Sequence, residues 1–159
     1  MLGTALIAAA LLLTGPALAQ AQPVGDRVEV HGMQMYYEVS GQGDPLVVLH
    51  GSYMNIPSMG AIIPKLAETH KVYALELQGH GRTTDIDRPI TYTNLADDVA
   101  AFMDAVGIPK ADVFGYSMGA VAGLRLAIRH PDKVNKLILA SGPTTPTACS
   151  RSSRHSSRR

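Results

Sequence analysis

The stretch Leu46-Val-Val-Leu49 is wholly apolar, closed by Asp44-Pro45 before it and His50-Gly51 after it. A run that short and continuous predicts a strand covered on both faces of its sheet. Val72-Tyr-Ala-Leu-Glu-Leu77, Ala111-Asp-Val-Phe114 and Val134-Asn-Lys-Leu-Ile-Leu-Ala140 repeat the theme. Helical stretches lie between them. Leu95, Val99, Phe102, Met103 and Val106 make an apolar stripe, with Thr93 or Asn94 as cap and Gly107 as stop. Pro57 to Glu68 and Met118 to His130 are two more, the last closed by Pro131. Upstream, Arg27 to Val30 and Met33 to Ser40 read as a hairpin around His31-Gly32. Strands alternating with helices predict an α/β fold: a mostly parallel sheet with helices on both faces.

The two ends differ from this body. Residues 1–21 read as a secretory signal peptide: an uncharged apolar run from Leu2, a break at Gly15-Pro16, then small-x-small cleavage patterns ending at Ala19 and Ala21. The run is shorter than the ~20 residues a membrane span needs, so the expectation is a secreted or periplasmic protein without a stable span. From Pro143 the chain becomes PTTPTACSRSSRHSSRR, a Ser/Arg-rich tail with no apolar period, expected to be disordered. It holds four arginines and no acid. The other 10 basic residues face 13 acidic ones, so the overall charge of +1 hides a body at −3. No single-sign excess points to nucleic acid. With one cysteine there is no internal disulfide, and no Cys/His spacing suggests a metal site. The expected domain is therefore 22–142.

Gly115-Tyr116-Ser117-Met118-Gly119 follows an expected strand and opens an expected helix, the setting of a G-x-S-x-G nucleophile elbow. A tight strand-to-helix turn strains the serine, glycines two residues either side admit the neighbouring backbone, and the helix N-terminus brings its N–H groups to the point of attack. An oxyanion needs two backbone donors. Met118 supplies one by position, and Ser52, in the His50-Gly51-Ser52 turn, is the candidate for the other. His50 is expected to pack beneath that loop. Tyr53, Met54 and Tyr116 are candidates to line a pocket.

Residues Val28 to Ser141 resemble the N-terminal half of an α/β-hydrolase fold protein, the superfamily of esterases, lactonases and C–C hydrolases. PLVVLHGS, LELQGHGRT, NLADDVAAFMDAVGI, ADVFGYSMGA and LAIRHPDKVNKLILAS carry the resemblance. It implies Ser117 as nucleophile, Ser52 and Met118 as oxyanion-hole donors through their backbone N–H groups, and no cofactor. It makes the Gly79-His80-Gly81 turn structural, with Arg82, Asp85 and Asp87 forming a polar loop. It also implies a triad acid and histidine later in the chain, the acid after a strand beyond the sixth. After Ser117 only His130, Asp132 and His155 are available. His130 and Asp132 stand at the far end of the helix that starts at the elbow, roughly 20 Å away. His155 falls in the tail, and Ser141 and Gly142 occupy the position after the sixth strand. No triad acid or histidine is identified, which predicts a fold truncated after that strand, as a reading-frame shift or shortened gene model would give.

Two functions follow from this reading. One is a serine hydrolase acting on a small ester, lactone or related acyl substrate through an acyl-enzyme at Ser117. The other is an inactive remnant lacking the triad acid and histidine. In either case the last strand is an exposed edge, open to self-association.

Overall fold

The computed structural model describes residues 23–142. The expected signal peptide, and the tail with His155, lie outside the described residues. In chain order the elements are β1 (Val24–Val30), β2 (Met33–Ser40), β3 (Pro45–Leu49), a single 3-10 turn (Pro57–Met59), α1 (Ile62–Leu66), β4 (Lys71–Leu75), α2 (Tyr92–Ala105), β5 (Ala111–Tyr116), α3 (Met118–Arg129) and β6 (Val134–Ala140). The strands form one sheet in the order β1-β2-β4-β3-β5-β6. β4, β3, β5 and β6 run parallel, while β2 joins β4 antiparallel and β1 joins β2 antiparallel.

Period-two alternation divides the strand residues between two cores. Val47, Leu49, Tyr73, Leu75 and Val113 face α2 and α3 in the larger one, around the fully buried Phe102 and Met103. Leu46, Val48, Val72 and Ala74 face the other way, against Ile56, Met59, Ile63 and Leu66. Helices thus cover both faces, as the alternating pattern implied. Complete burial of the Phe102 ring contributes ~2–3 kcal/mol by area alone, and it sits edge-on to Tyr37 at 5.0 Å between ring centroids.

Local chemistry sets the boundaries, and several differ from the expected ones. At the hairpin, His31 and Gly32 have φ of 50° and 85°, as a two-residue turn with matching twist requires. β1 starts at Val24 instead of Arg27 because Val24 to Asp26 pair with Val39 to Tyr37. The single helix expected from Pro57 to Glu68 is two short pieces, because Gly60 takes φ 53° and ψ −130° between them. Pro64 is tolerated inside α1 because the first four N–H groups of a helix have no internal partner. The cap of α2 is Thr91, not Thr93 or Asn94. Its side chain accepts from the Asn94 N–H at 3.1 Å, while the Asn94 amide donates to the Pro89 carbonyl at 2.8 Å. Gly107 does stop this helix: at φ 73° it donates to Asp104, and Ile108 donates to Met103 at 2.7 Å, closing a Schellman motif.

Candidate active site

β5 delivers the chain to Ser117, which stands at φ 52° and ψ −111°, outside the regions open to most residues. Its N–H donates to the Ala140 carbonyl at 2.8 Å, so the end of β6 holds the turn from the side. The flanking glycines are steric requirements. A Cβ on Gly115 would overlap the Gly119 carbonyl, and one on Gly119 would overlap the Leu49 carbonyl and lie 2.7 Å from the His50 oxygen. The Ser117 carbonyl accepts from Ala120 at 3.0 Å and Val121 at 3.2 Å. The N–H groups of Met118 and Gly119, in the first turn of α3, are left without a partner inside the helix.

The loop after β3 closes on the same spot. Met54 donates to the Gly51 carbonyl at 3.2 Å across a turn whose third residue, Tyr53, takes φ 58°. A Cβ on Gly51 would lie 3.4 Å from the Ser117 Cβ and 3.1 Å from the Tyr116 ring. Ser52, Met118, Tyr116 and Ser117 are therefore brought together where β3 and β5 end, the end of a parallel sheet at which ligands bind. Tyr116 is half-buried there, whereas Tyr53 is fully exposed. Nearby, Met54 packs with the second core.

His50 lies under this loop as expected. Nδ1 faces the Gly51 carbonyl at 2.7 Å and Nε2 accepts from the Leu77 N–H at 3.1 Å. A carbonyl only accepts and an amide only donates, so the ring is the neutral Nδ1–H tautomer. Burial holds its pKa below the ordinary 6.5, against the opposing pull of the Gly51 carbonyl. His80 donates through Nδ1 to the Gln78 carbonyl at 2.8 Å and lies 5.1 Å from the His50 ring.

Glu76 had no place among the expected site residues, yet it anchors the loop beside them. Fully buried, it accepts from the Ile56 N–H at 3.2 Å, the Arg82 N–H at 2.5 Å, and the Arg82 guanidinium at 2.8 and 3.1 Å. Burial pushes the carboxyl up, but these donors outweigh it and hold its pKa below the ordinary value. Gly81 takes φ 54°, and a Cβ there would overlap the Glu76 carboxylate. Arg82 also lies 3.7 Å over the Tyr36 ring and 3.0 Å from Glu38. The signal in the sequence was a lone acid at the end of an apolar strand with an arginine six residues on. Asp85 joins the polar loop by accepting from Gln78 at 2.9 Å, and Asp87 is exposed on it.

The remaining acid and histidine candidates stay apart from Ser117. His130 bonds Asp97 at 2.8 Å, and Arg129 holds the same carboxylate with two bonds. Both border an open groove of about 450 Å³ lined also by His31, Arg88 and Lys133, and Asp132 follows on the surface. His31 pairs with the buried Asp98, and His70 with Thr69. Among the described residues, no histidine or carboxylate bonds the Ser117 hydroxyl. Among the described residues, too, no group of three His, Cys, Asp or Glu is placed to hold a metal ion, and no helix is long and apolar enough to cross a membrane.

The chain is similar to known hydrolases over the stretch it covers. It is 31% identical over 120 residues to a 2-hydroxymuconate semialdehyde hydrolase of Pseudomonas sp. strain CF600, covering 73% of this chain and 42% of that protein. To a pimeloyl-(acyl-carrier protein) methyl ester esterase of Neisseria meningitidis it is 38% identical over 101 residues, 64% of this chain and 37% of the esterase. A solved structure of an N-acyl homoserine lactone degrading enzyme, Est816, superposes with a TM-score of 0.69 at 30% identity, over 74% of this chain and 45% of that one. An epoxide hydrolase from Vigna radiata gives a TM-score of 0.74 at 26% identity, over 79% and 42%. The chain thus spans about two-fifths of the length of the curated relatives it matches. The family profile of the alpha/beta hydrolase fold matches residues 44–156, taking in the strand, elbow and helix that surround Ser117. With sheet order, elbow and profile in agreement, the chain belongs to the alpha/beta hydrolase fold family.

Proposed function

We propose that the protein carries the nucleophile and oxyanion side of a serine hydrolase site for small esters, lactones or related acyl compounds. The observation that supports this best is the strained Ser117 lying against the Gly51-Ser52 turn. In the proposed reaction Ser117 Oγ adds to the substrate carbonyl, and the N–H groups of Met118 and Ser52 receive the oxyanion. Collapse breaks the bond to the leaving oxygen, which takes up the proton lost by Ser117 and departs as an alcohol, and water then hydrolyses the acyl-enzyme to the acid and free Ser117. Tyr116 and Tyr53 flank the acyl group. The hydrolase, esterase and lactone-degrading activities named for the relatives favour this substrate class.

A second reading is favoured by one observation: the described histidines are committed elsewhere, to Gly51 and Leu77, Gln78, Asp97, Asp98 and Thr69. A serine without a base is a weak nucleophile, and subtilisin loses ~10⁶-fold in kcat without its histidine. This chain is then an inactive form of the fold. Hydrolysis of p-nitrophenyl acetate by the 159-residue chain and its Ser117→Ala variant separates the two. Slow turnover that disappears in the variant supports the hydrolase. Turnover equal in both proteins, or none in either, supports the inactive form.

A further inference from the structure

Among the described residues, four non-glycine residues have positive φ: His31, Tyr53, Ser117 and Ser141. The hairpin turn accounts for His31. The other three follow β3, β5 and β6, which are adjacent parallel strands, so all lie at one end of the sheet. Left-handed backbone costs a serine or tyrosine ~1 kcal/mol or more that a glycine would not incur. Strained residues of this kind cluster at active sites and ligand clamps. Ser141 is exposed, and the carbonyl just before it, on Ala140, holds the Ser117 N–H at 2.8 Å. Neighbouring strands are ~4.8 Å apart, so Ser141 is within one strand spacing of the elbow.

Resting on the hydrolase reading, we propose that Ser141 is a substrate-contacting residue, its hydroxyl donating to the alkoxy or ring oxygen of a bound ester or lactone while the oxyanion is held by Ser52 and Met118. The β6 end of the cleft then selects acyl compounds with a second oxygen on the reacting carbon.

Phenylboronic acid tests this without turnover. Ser117 Oγ adds to its boron, the serine proton passes to solvent, and the tetrahedral adduct keeps two B–OH oxygens. Titration of the full chain by 11B NMR is compared with Ser117→Ala, Ser141→Ala and Ser141→Gly. We expect Ser117→Ala to abolish the adduct and both Ser141 variants to weaken it about 3- to 10-fold, the effect of one lost hydrogen bond. Ser141→Gly alone is expected to raise Tm by a few degrees, because it alone relieves the backbone. An adduct that needs Ser117 but is equally tight in both Ser141 variants overturns the Ser141 contact and leaves the hydrolase reading standing. No adduct in the unaltered protein, or one that survives Ser117→Ala, overturns the hydrolase reading and this inference with it.

Discussion

A glycine two residues after Ser117 is demanded by carbonyls, not by side chains. A Cβ at Gly119 meets the backbone oxygens of Leu49, the last residue of central strand β3, and of His50 just after it, which cannot swing aside as a side chain would. We expect Gly119→Ala to cost about 1–3 kcal/mol in urea unfolding, whereas alanine at Gly107, where a Cβ meets nothing within 4 Å, carries only the strain of its φ of 73°. Two buried groups should also give the protein a stepped acid response. His50 is held neutral, so its folded pKa lies below its unfolded one. The unfolded chain then binds the extra proton first, and stability falls as pH drops below about 6.5. Glu76 is held ionised, so its contribution is complete above its unfolded pKa near 4.5 and is lost as pH falls through the lower folded value. Urea midpoints between pH 8 and 3 should show both steps, with His50→Gln removing the first and Glu76→Gln reducing the second, to which Asp97, held low by Arg129, also contributes. A single step unaffected by His50→Gln contradicts the neutral, doubly bonded ring.

At the scale of elements, most of the strand and helix pattern was legible because it rests on near-neighbour chemistry. β3, β5 and β6 were readable as apolar runs, α2 from its stripe, and α3 from the Pro131 that closes it. The errors have physical causes. Helix 57–68 looked continuous because hydrophobic spacing does not register that Gly60 turns through positive φ. The α2 cap was displaced because Asn94 is a good capping residue whose amide is instead spent on Pro89, three residues before the helix. Thr91→Ala should therefore cost about 0.5–2 kcal/mol, and Asn94→Ala, which leaves the Thr91 cap in place, less. Urea unfolding of the two variants ranks them, and the reverse order would point to a cap at Asn94. Asp98 was invisible as anything but a polar residue of a helix, since its partners are Arg88, in the irregular loop before the helix, and His31, in a hairpin far away in sequence.

For the molecule as a whole, the sequence disclosed where chemistry would sit and left open how it would be completed. The elbow and the Gly51 turn were readable because each is a short motif set by backbone geometry. Their contact through Gly51 is a tertiary fact that no spacing encodes, as is the clamp of Glu76 on Arg82. On the described sheet, β6 is the outer strand beyond β5, with Ile138 and Leu139 exposed on it. An edge of that kind invites pairing. Sedimentation of the chain should show association that rises with concentration and weakens in Ile138→Lys, and a monomer at every concentration would show the edge is otherwise protected. The central claim, however, concerns one oxygen atom. Treating the protein with a fluorophosphonate and locating the adduct by peptide mass spectrometry tests it most directly. We expect slow modification confined to the peptide bearing Ser117 and absent from Ser117→Ala. No adduct, or one placed on another residue, would contradict it.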